Sequence, residues 1–306
     1  MGATLRRFVF PGAAQIMPSL PPDVEWISDI PRLAPRSVDA NKGTFGRALV
    51  IAGSRGMSGA AILSASSALR GGAGLVRLAV PHELLPIVAA ANPCYLTTPM
   101  PQDEEGRFGA DAEAELLDLV RAADVTAVGP GLSRSAGLTT LVSAILAKTD
   151  RPLVLDADGL NAVDGASQSL TKRAGPLVLT PHPGEFARLI GSTIPHVQAH
   201  REELAVEFAA RHQLVLLLKG HQTIVTDGRR LYRNTTGNPG MATGGTGDVL
   251  TGLIAALIGQ KLSPFDAARL GAHWHGSAGD LARDELGEVS LIASDLLDYL
   301  PRVTRA

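Results

Sequence analysis

Residues 238–252 read NPGMATGGTGDVLTG. Glycines and threonines crowd around one acid, Asp248, and an apolar run with helical spacing follows over 249–258. A Gly-rich turn that opens a helix leaves backbone N–H groups unpaired at the positive end of the helix dipole, which makes an anion site. A carboxylate placed there repels a bare anion. Asp248 therefore suggests chemistry, in which it takes a proton while the N–H groups hold developing negative charge. The competing reading is a flexible loop followed by an ordinary first-turn acid, and a lone Gly-rich turn favours that reading. The rest of the chain has to decide.

On either side of this turn, short β-rich apolar runs alternate with helical spacings. Strands are expected at 47–52, 75–80, 125–128, 152–155, 177–179 and 215–219, with a short one near 95–97. A hairpin is expected from 223–226 and 229–233 across Asp227-Gly228. Helices are expected at 59–71, 84–91, 111–122, 137–148, 185–190, 198–212, 248–258, 264–285 and 290–300, and a short helix or turn at 26–35. This alternation predicts an α/β fold with a mainly parallel central sheet covered on both faces. Each strand ends in Gly, Pro or polar residues. Ligands collect beyond the carboxyl ends of such strands, so these ends should converge on one cleft. No repeat or linker divides 26–306, which reads as a single domain after an extension at 1–25.

Composition narrows the function. Of the 306 residues, 45% are hydrophobic but only 4% aromatic, so the core is built from Ala, Val, Leu and Ile. Lys and Arg number 28 against 30 Asp and Glu, a formal net charge of −2, which gives no electrostatic case for nucleic-acid or membrane partners. The one cysteine, Cys94, excludes an intramolecular disulfide framework, fits a reducing cytoplasm and reads as structural. The extension is interrupted by prolines and too short for a signal or spanning segment.

The other strand ends each carry an ordinary alternative. Gly53, Gly56 and Gly59 lie between a strand and a helix, but as G-x-x-G-x-x-G and without an acid about twenty residues on, so a tight turn is favoured over a dinucleotide fingerprint. Gly59, Ala60 and Ala61 could still let a bulky ligand approach the backbone. Gly129-Pro130-Gly131 is a turn that could offer N–H groups. Asp156 and Asp158 could hold Mg²⁺ through water, or Asp158 could cap the helix that leads to Asn161. His182 stands between two prolines, which suits a positioned binding group, with a capping or surface histidine the commoner alternative, and Glu185 is either a water or metal ligand or a first-turn acid. Lys219 could meet phosphates or snorkel into solvent. His273 and His275, two apart on a helix, do not share a face and read as core-facing or stacking residues.

In series the motifs are more specific than any one of them. KGTFG at 42–46, AGSRGMSGAA at 52–61, GPGL at 129–132, DADGLN at 156–161, TPHPGE at 180–185, LKGHQT at 218–223 and GNPGMATGGTGDVLTG at 237–252 occur in that order. This series resembles the ADP- or ATP-dependent NAD(P)H-hydrate dehydratases. The resemblance covers about 26–300 and implies a ribokinase-like, three-layer α/β/α fold. It implies a metabolite-repair reaction on hydrated NADH or NADPH (NADHX, NADPHX), in which a nucleotide phosphorylates the ring hydroxyl and phosphate then leaves. ADP, or ATP, is the implied co-substrate, with Mg²⁺ on its phosphates. By the same resemblance Asp248 is the base, and Gly245, Thr246 and Gly247 hold the transferring phosphoryl oxygens. Lys219, Gly220, His221, Gln222, Thr223, Asn238, Gly244 and Gly247 surround the adenine nucleotide. Gly59, Ala60, Ala61, Gly131, His182, Glu185, Arg188 and Asp248 hold the hydrate, and Asp156 and Glu185 are the metal-side acids, acting through water. A homotetramer is implied. With about 25 residues ahead of the matched region, the epimerase that accompanies some members is expected on a separate protein. A kinase of a small hydroxylated vitamin precursor, or a non-catalytic nucleotide sensor, is the alternative.

Overall fold

The computed structural model describes residues 23–163, 170 and 173–304; most of the extension expected at 1–25 lies outside them. The strands are β1 (Glu25–Ile27), β2 (Arg47–Ile51), β3 (Leu75–Pro81), β4 (Leu96–Met100), β5 (Val125–Val128), β6 (Leu153–Leu155), β7 (Leu177–Leu179), β8 (Val215–Leu218), β9 (Ile224–Thr226) and β10 (Arg230–Arg233). They form one 10-stranded sheet in the order β1-β10-β9-β8-β7-β6-β5-β2-β3-β4. Every pairing is parallel except those of β9, which runs against both β8 and β10. The sheet grows one way from β2 through β3 and β4, and the other way from β5 through β8. The reversal opens a crevice at the carboxyl ends of β2 and β5, where open α/β sheets take ligands.

Strand residues alternate between two cores, as a sheet covered on both faces requires. Ala48, Val50, Val76, Leu78, Val125, Ala127 and Val154 face the helices Ser58–Arg70, Thr246–Gly259, Pro264–Leu286 and Ala293–Val303. Leu49, Ile51, Ala79, Val128, Leu153 and Leu155 face Glu113–Ala122, Ala136–Lys148, Pro183–Leu189 and Arg201–His212. The three-layer α/β/α arrangement expected from the sequence is present.

Helix Thr246–Gly259 is buried at every position from Val249 to its end, which explains why its sequence is apolar all round. Small residues let Ser58–Arg70 cross it closely. A Cβ on Gly252 would lie 1.9 Å from the Ser64 carbonyl oxygen and 2.2 Å from Ser67 Oγ. Gly252→Ala should therefore force the two helices apart at a cost of about 1–3 kcal/mol, a drop in Tm on the order of 2–10 °C. Calorimetry showing an unchanged Tm would refute that packing.

Some expectations are corrected. The helix or turn expected at 26–35 begins instead as the edge strand β1, with Trp26 opposite Leu231 of β10. Three residues carry no readable period; the open edge of β10 supplies their order. The helix expected at 198–212 is broken at His200 (φ −129°, ψ 36°) between Ile194–Ala199 and Arg201–His212. Cys94 is free and exposed, so it does not serve as a packing residue. Among the described residues no helix is long and apolar enough to cross a membrane.

Candidate active site

The Gly-rich turn leads into helix Thr246–Gly259 through Gly245, whose φ of 93° only glycine adopts freely and whose helix start has no side-chain cap. The Thr246 hydroxyl is used within the turn, donating to the carbonyls of Met241 and Thr243 at 3.1 Å each. The N–H groups of the first turn are thus left for a ligand. A Cβ on Gly244 would meet nothing within 4 Å, so the turn is open on that side.

Lys219, just past β8, does not snorkel. Its Nζ lies 2.7 Å from Oδ1 of Asp156, a buried acid just past β6, and 3.0 Å from where a Cβ on Gly247 would stand. The other Asp156 oxygen accepts from Thr251 Oγ1 at 2.7 Å. Thr251 also donates to the Gly247 carbonyl, so this cluster ties the helix start to the sheet. Burial would pull the Lys219 ammonium down, but Asp156, Glu185 and Asp248 outweigh it and hold its pKa above the ordinary value. A fixed positive charge therefore stands beside the uncapped helix start.

Asp248 is pushed up to about 7, first by burial and then by repulsion from Asp156, with Asp158 adding to it and Lys219 opposing. A carboxyl that titrates near neutrality is matched to general-base work.

The loops at the crevice are stitched together. Gly53 N–H donates to the Pro130 carbonyl at 2.8 Å, and Ser54 Oγ to the Gly131 carbonyl at 2.9 Å. A Cβ on Gly131 would come within 2.9 Å of Ala60 Cβ, so these two candidates are neighbours. Gly59 is exposed beside them. The Ala61 side chain is fully buried behind Gly53, because one residue's turn of the helix points it into the core, so only its backbone is left to face a ligand. Leu63, in the same helix, packs against Gly245, so the crevice adjoins the anion turn.

Asp158 does not cap its helix. Its oxygens accept from Ser133 N–H at 2.8 Å and Asn161 Nδ2 at 3.0 Å, and Asn161 Oδ1 accepts from Arg188 at 2.9 Å. His182 is the cap of Pro183–Leu189. Its Nδ1 accepts from Gly184 N–H at 3.0 Å, while the His182 backbone N–H donates to Glu185 Oε2 at 2.8 Å. Among the described residues no three His, Cys, Asp or Glu side chains gather as a metal-binding group. With the Lys219 ammonium 2.7 Å from one Asp156 oxygen and Thr251 on the other, a second cation is repelled from direct contact and would meet this acid through water.

In the turn after β8, Thr223 Oγ1 donates to the Gly220 carbonyl at 3.0 Å, and Gln222 adopts φ 55°. His221 and Gln222 are exposed. Asn238 Oδ1 accepts from Gly240 N–H at 3.0 Å. Sequence reasoning missed three contributors here. Arg201 donates to the carbonyls of Leu218, Lys219 and His221 and clamps this turn. Thr251 sits one helical turn after Gly247, a spacing that could have been noticed. His275 is neither a stacking nor a purely core residue: its Nε2 lies 2.9 Å from the Thr246 carbonyl. Burial pushes it down to about 4, so the neutral ring donates to that carbonyl.

The family model described as NAD(P)H-hydrate dehydratase matches residues 48–302. The chain belongs to this family. The bifunctional NAD(P)H-hydrate repair enzyme Nnr of Moorella thermoacetica is 48% identical over 280 residues, 91% of this chain and 52% of that protein. The chain thus spans about half the length of the bifunctional relatives it matches. The crystal structure of the Bacillus subtilis ADP/ATP-dependent NAD(P)H-hydrate dehydratase, co-crystallised with ATP/Mg²⁺, superposes with a TM-score of 0.79 at 35% identity, covering 90% of this chain and 94% of that one. A ribokinase-like superfamily protein from Enterococcus faecalis gives 0.77 at 26% identity, covering 93% and 96%. The fold of this dehydratase-family chain is therefore ribokinase-like.

Proposed function

We propose that this dehydratase-family chain restores NADH and NADPH from their hydrates at the expense of a nucleotide, ADP being converted to AMP. The observation that carries the reading is Asp248, titrating near pH 7 at an uncapped helix start beside a fixed ammonium. Asp248 takes the proton of the ring hydroxyl as that oxygen attacks the terminal phosphorus. The bond from phosphorus to the bridging oxygen breaks, and AMP leaves. The N–H groups of Gly245, Thr246 and Gly247, with Lys219, hold the charge on the transferring oxygens. Phosphate then departs from the ring carbon, a neighbouring ring proton is lost, and the double bond returns.

Mg²⁺ carried on the nucleotide phosphates would supply charge neutralisation, with Asp156 and Glu185 reaching it through water. Gly220–Thr223, Asn238 and Gly244 would surround the adenine nucleotide. Gly59, Ala60, Gly131, His182 and Arg188 would hold the hydrate, in a single domain spanning 26–306. Homotetrameric assembly, a cytoplasmic setting and coupling to an epimerase belong to the same reading; light scattering on purified protein checks the first.

The test is incubation with NADHX and ADP or ATP while the absorbance of NADH is followed. Nucleotide-dependent recovery of NADH with release of phosphate is expected. A stable phosphorylated product with no NADH would instead mark a small-molecule kinase.

A further inference from the structure

Helix Pro264–Leu286 has a small-residue face on which the segment before the catalytic turn lies directly. A Cβ on Gly276 would stand 2.2 Å from Thr236 Oγ1, and one on Gly279 2.2 Å from Met241 Sδ. Asn234 Nδ2 donates to the Ala272 carbonyl at 3.2 Å, and Thr236 Oγ1 to the His273 carbonyl at 3.0 Å. Asp280 follows Gly279. Its Oδ2 accepts from Gly237 N–H at 2.9 Å, and its Oδ1 from Asn238 Nδ2 at 3.0 Å. Arg283 lies 3.4 Å from Oδ1 and shares the charge. The far side of Asn238 accepts from Gly240 N–H and so sets the turn Pro239–Met241, whose last carbonyl accepts from Thr246 Oγ1. A relay of hydrogen bonds and one short turn thus runs from Asp280 to Thr246, two residues before Asp248.

We propose that Asp280 is a positioning residue: through Asn238 it holds the Gly237–Met241 backbone in the shape that admits the phosphates of an adenine nucleotide. The nucleotide half of this statement rests on the function proposed above. Asp280 is not itself a phosphate contact, since both of its oxygens are engaged and its charge would repel the ligand. Asparagine cannot replace it. In Asp280→Asn the new amide oxygen could accept from Gly237 N–H, but its NH₂ would then face the NH₂ of Asn238, and turning Asn238 over would break the bond to Gly240.

Asp280→Asn, close to isosteric, and Asp280→Ala are compared with wild type. Hydrogen exchange of the free proteins should quicken in the 237–247 segment by ~10- to 100-fold, the loss expected for hydrogen bonds to a charged acceptor, with the strands β5 to β7 unchanged. Titration with ADP should show Kd raised by a similar factor, and steady-state kinetics a raised KM for nucleotide at constant KM for the hydrate. Wild-type exchange in 237–247 together with wild-type ADP affinity would overturn the role of Asp280 alone. So would a general fall in Tm with lower kcat and an unchanged nucleotide KM, which marks a merely structural residue. Absence of ADP binding by the wild-type chain would instead overturn the functional reading, and the nucleotide half of this proposal with it.

Discussion

Asp248→Asn is expected to lower kcat by at least ~10²-fold, the usual cost of removing a positioned general base. The substitution is isosteric, so folding should survive and substrate affinities should change far less than kcat. The wild-type carboxyl sits at about 7 because burial and Asp156 disfavour its charged form. Its folded pKa therefore exceeds its unfolded one. The stability this group contributes is fully present below the ordinary carboxylate pKa of 3.8 and is lost as pH rises through about 7. The neutral amide does not titrate, so the variant should gain stability relative to wild type between about pH 4 and 8, with its Tm advantage greatest at the alkaline end. Wild-type kcat/KM should rise with pH and level off above about 7, the ionised carboxylate being the active form. A variant that keeps more than a tenth of wild-type kcat would remove Asp248 from the mechanism.

Lys219→Met is expected to cost about 3–5 kcal/mol of stability and to abolish measurable ADP binding. Asp156 is 1% exposed, and without the ammonium it is left a buried charge whose remaining side-chain donor is Thr251. The site also loses the positive charge that would face the phosphates. Because Lys219 opposes the upward shift of Asp248, its removal should move the residual pH profile to higher pH. Lys219→Met combined with Asp156→Asn provides the control. Removing both charges should recover much of the stability but none of the ADP affinity, a coupling that urea denaturation and ADP titration read separately. If the single variant binds ADP as wild type does, Lys219 is a structural cation only.

Much of the fold was legible because its signals are local. Buried parallel strands read as short apolar runs, and the helices between them show a 3.6-residue period, so the covered parallel sheet followed from pattern alone. The anion turn was legible for the same reason: Gly245, Thr246, Gly247 and Asp248 are consecutive, and their chemistry depends on the start of their own helix. β1 was not legible, since its order comes from the open edge of β10.

Partner choice within the site belonged to the tertiary structure. Asp156 and Asp158 lie two residues apart with equivalent local signals, and either metal binding or capping suited them. The structure sends the first to Lys219, 63 residues away, and to Thr251, and the second to Ser133 and Asn161. Strand order decides this: β6, β7 and β8 are neighbours, so their carboxyl ends meet. Ala60 and Ala61 differ only by the rotation of one residue about a helix, which assigns one to the crevice and the other to the core. His275 read only as a core-facing or stacking residue and Asp280 carried no signal, because the backbone they hold lies 29 and 43 residues earlier in the chain. Sequence alone determined the layers, the turn and the acid within it. Only the packed structure decided which charges face that acid, because burial and repulsion by non-local neighbours move its pKa from the ordinary carboxylate range to near neutrality.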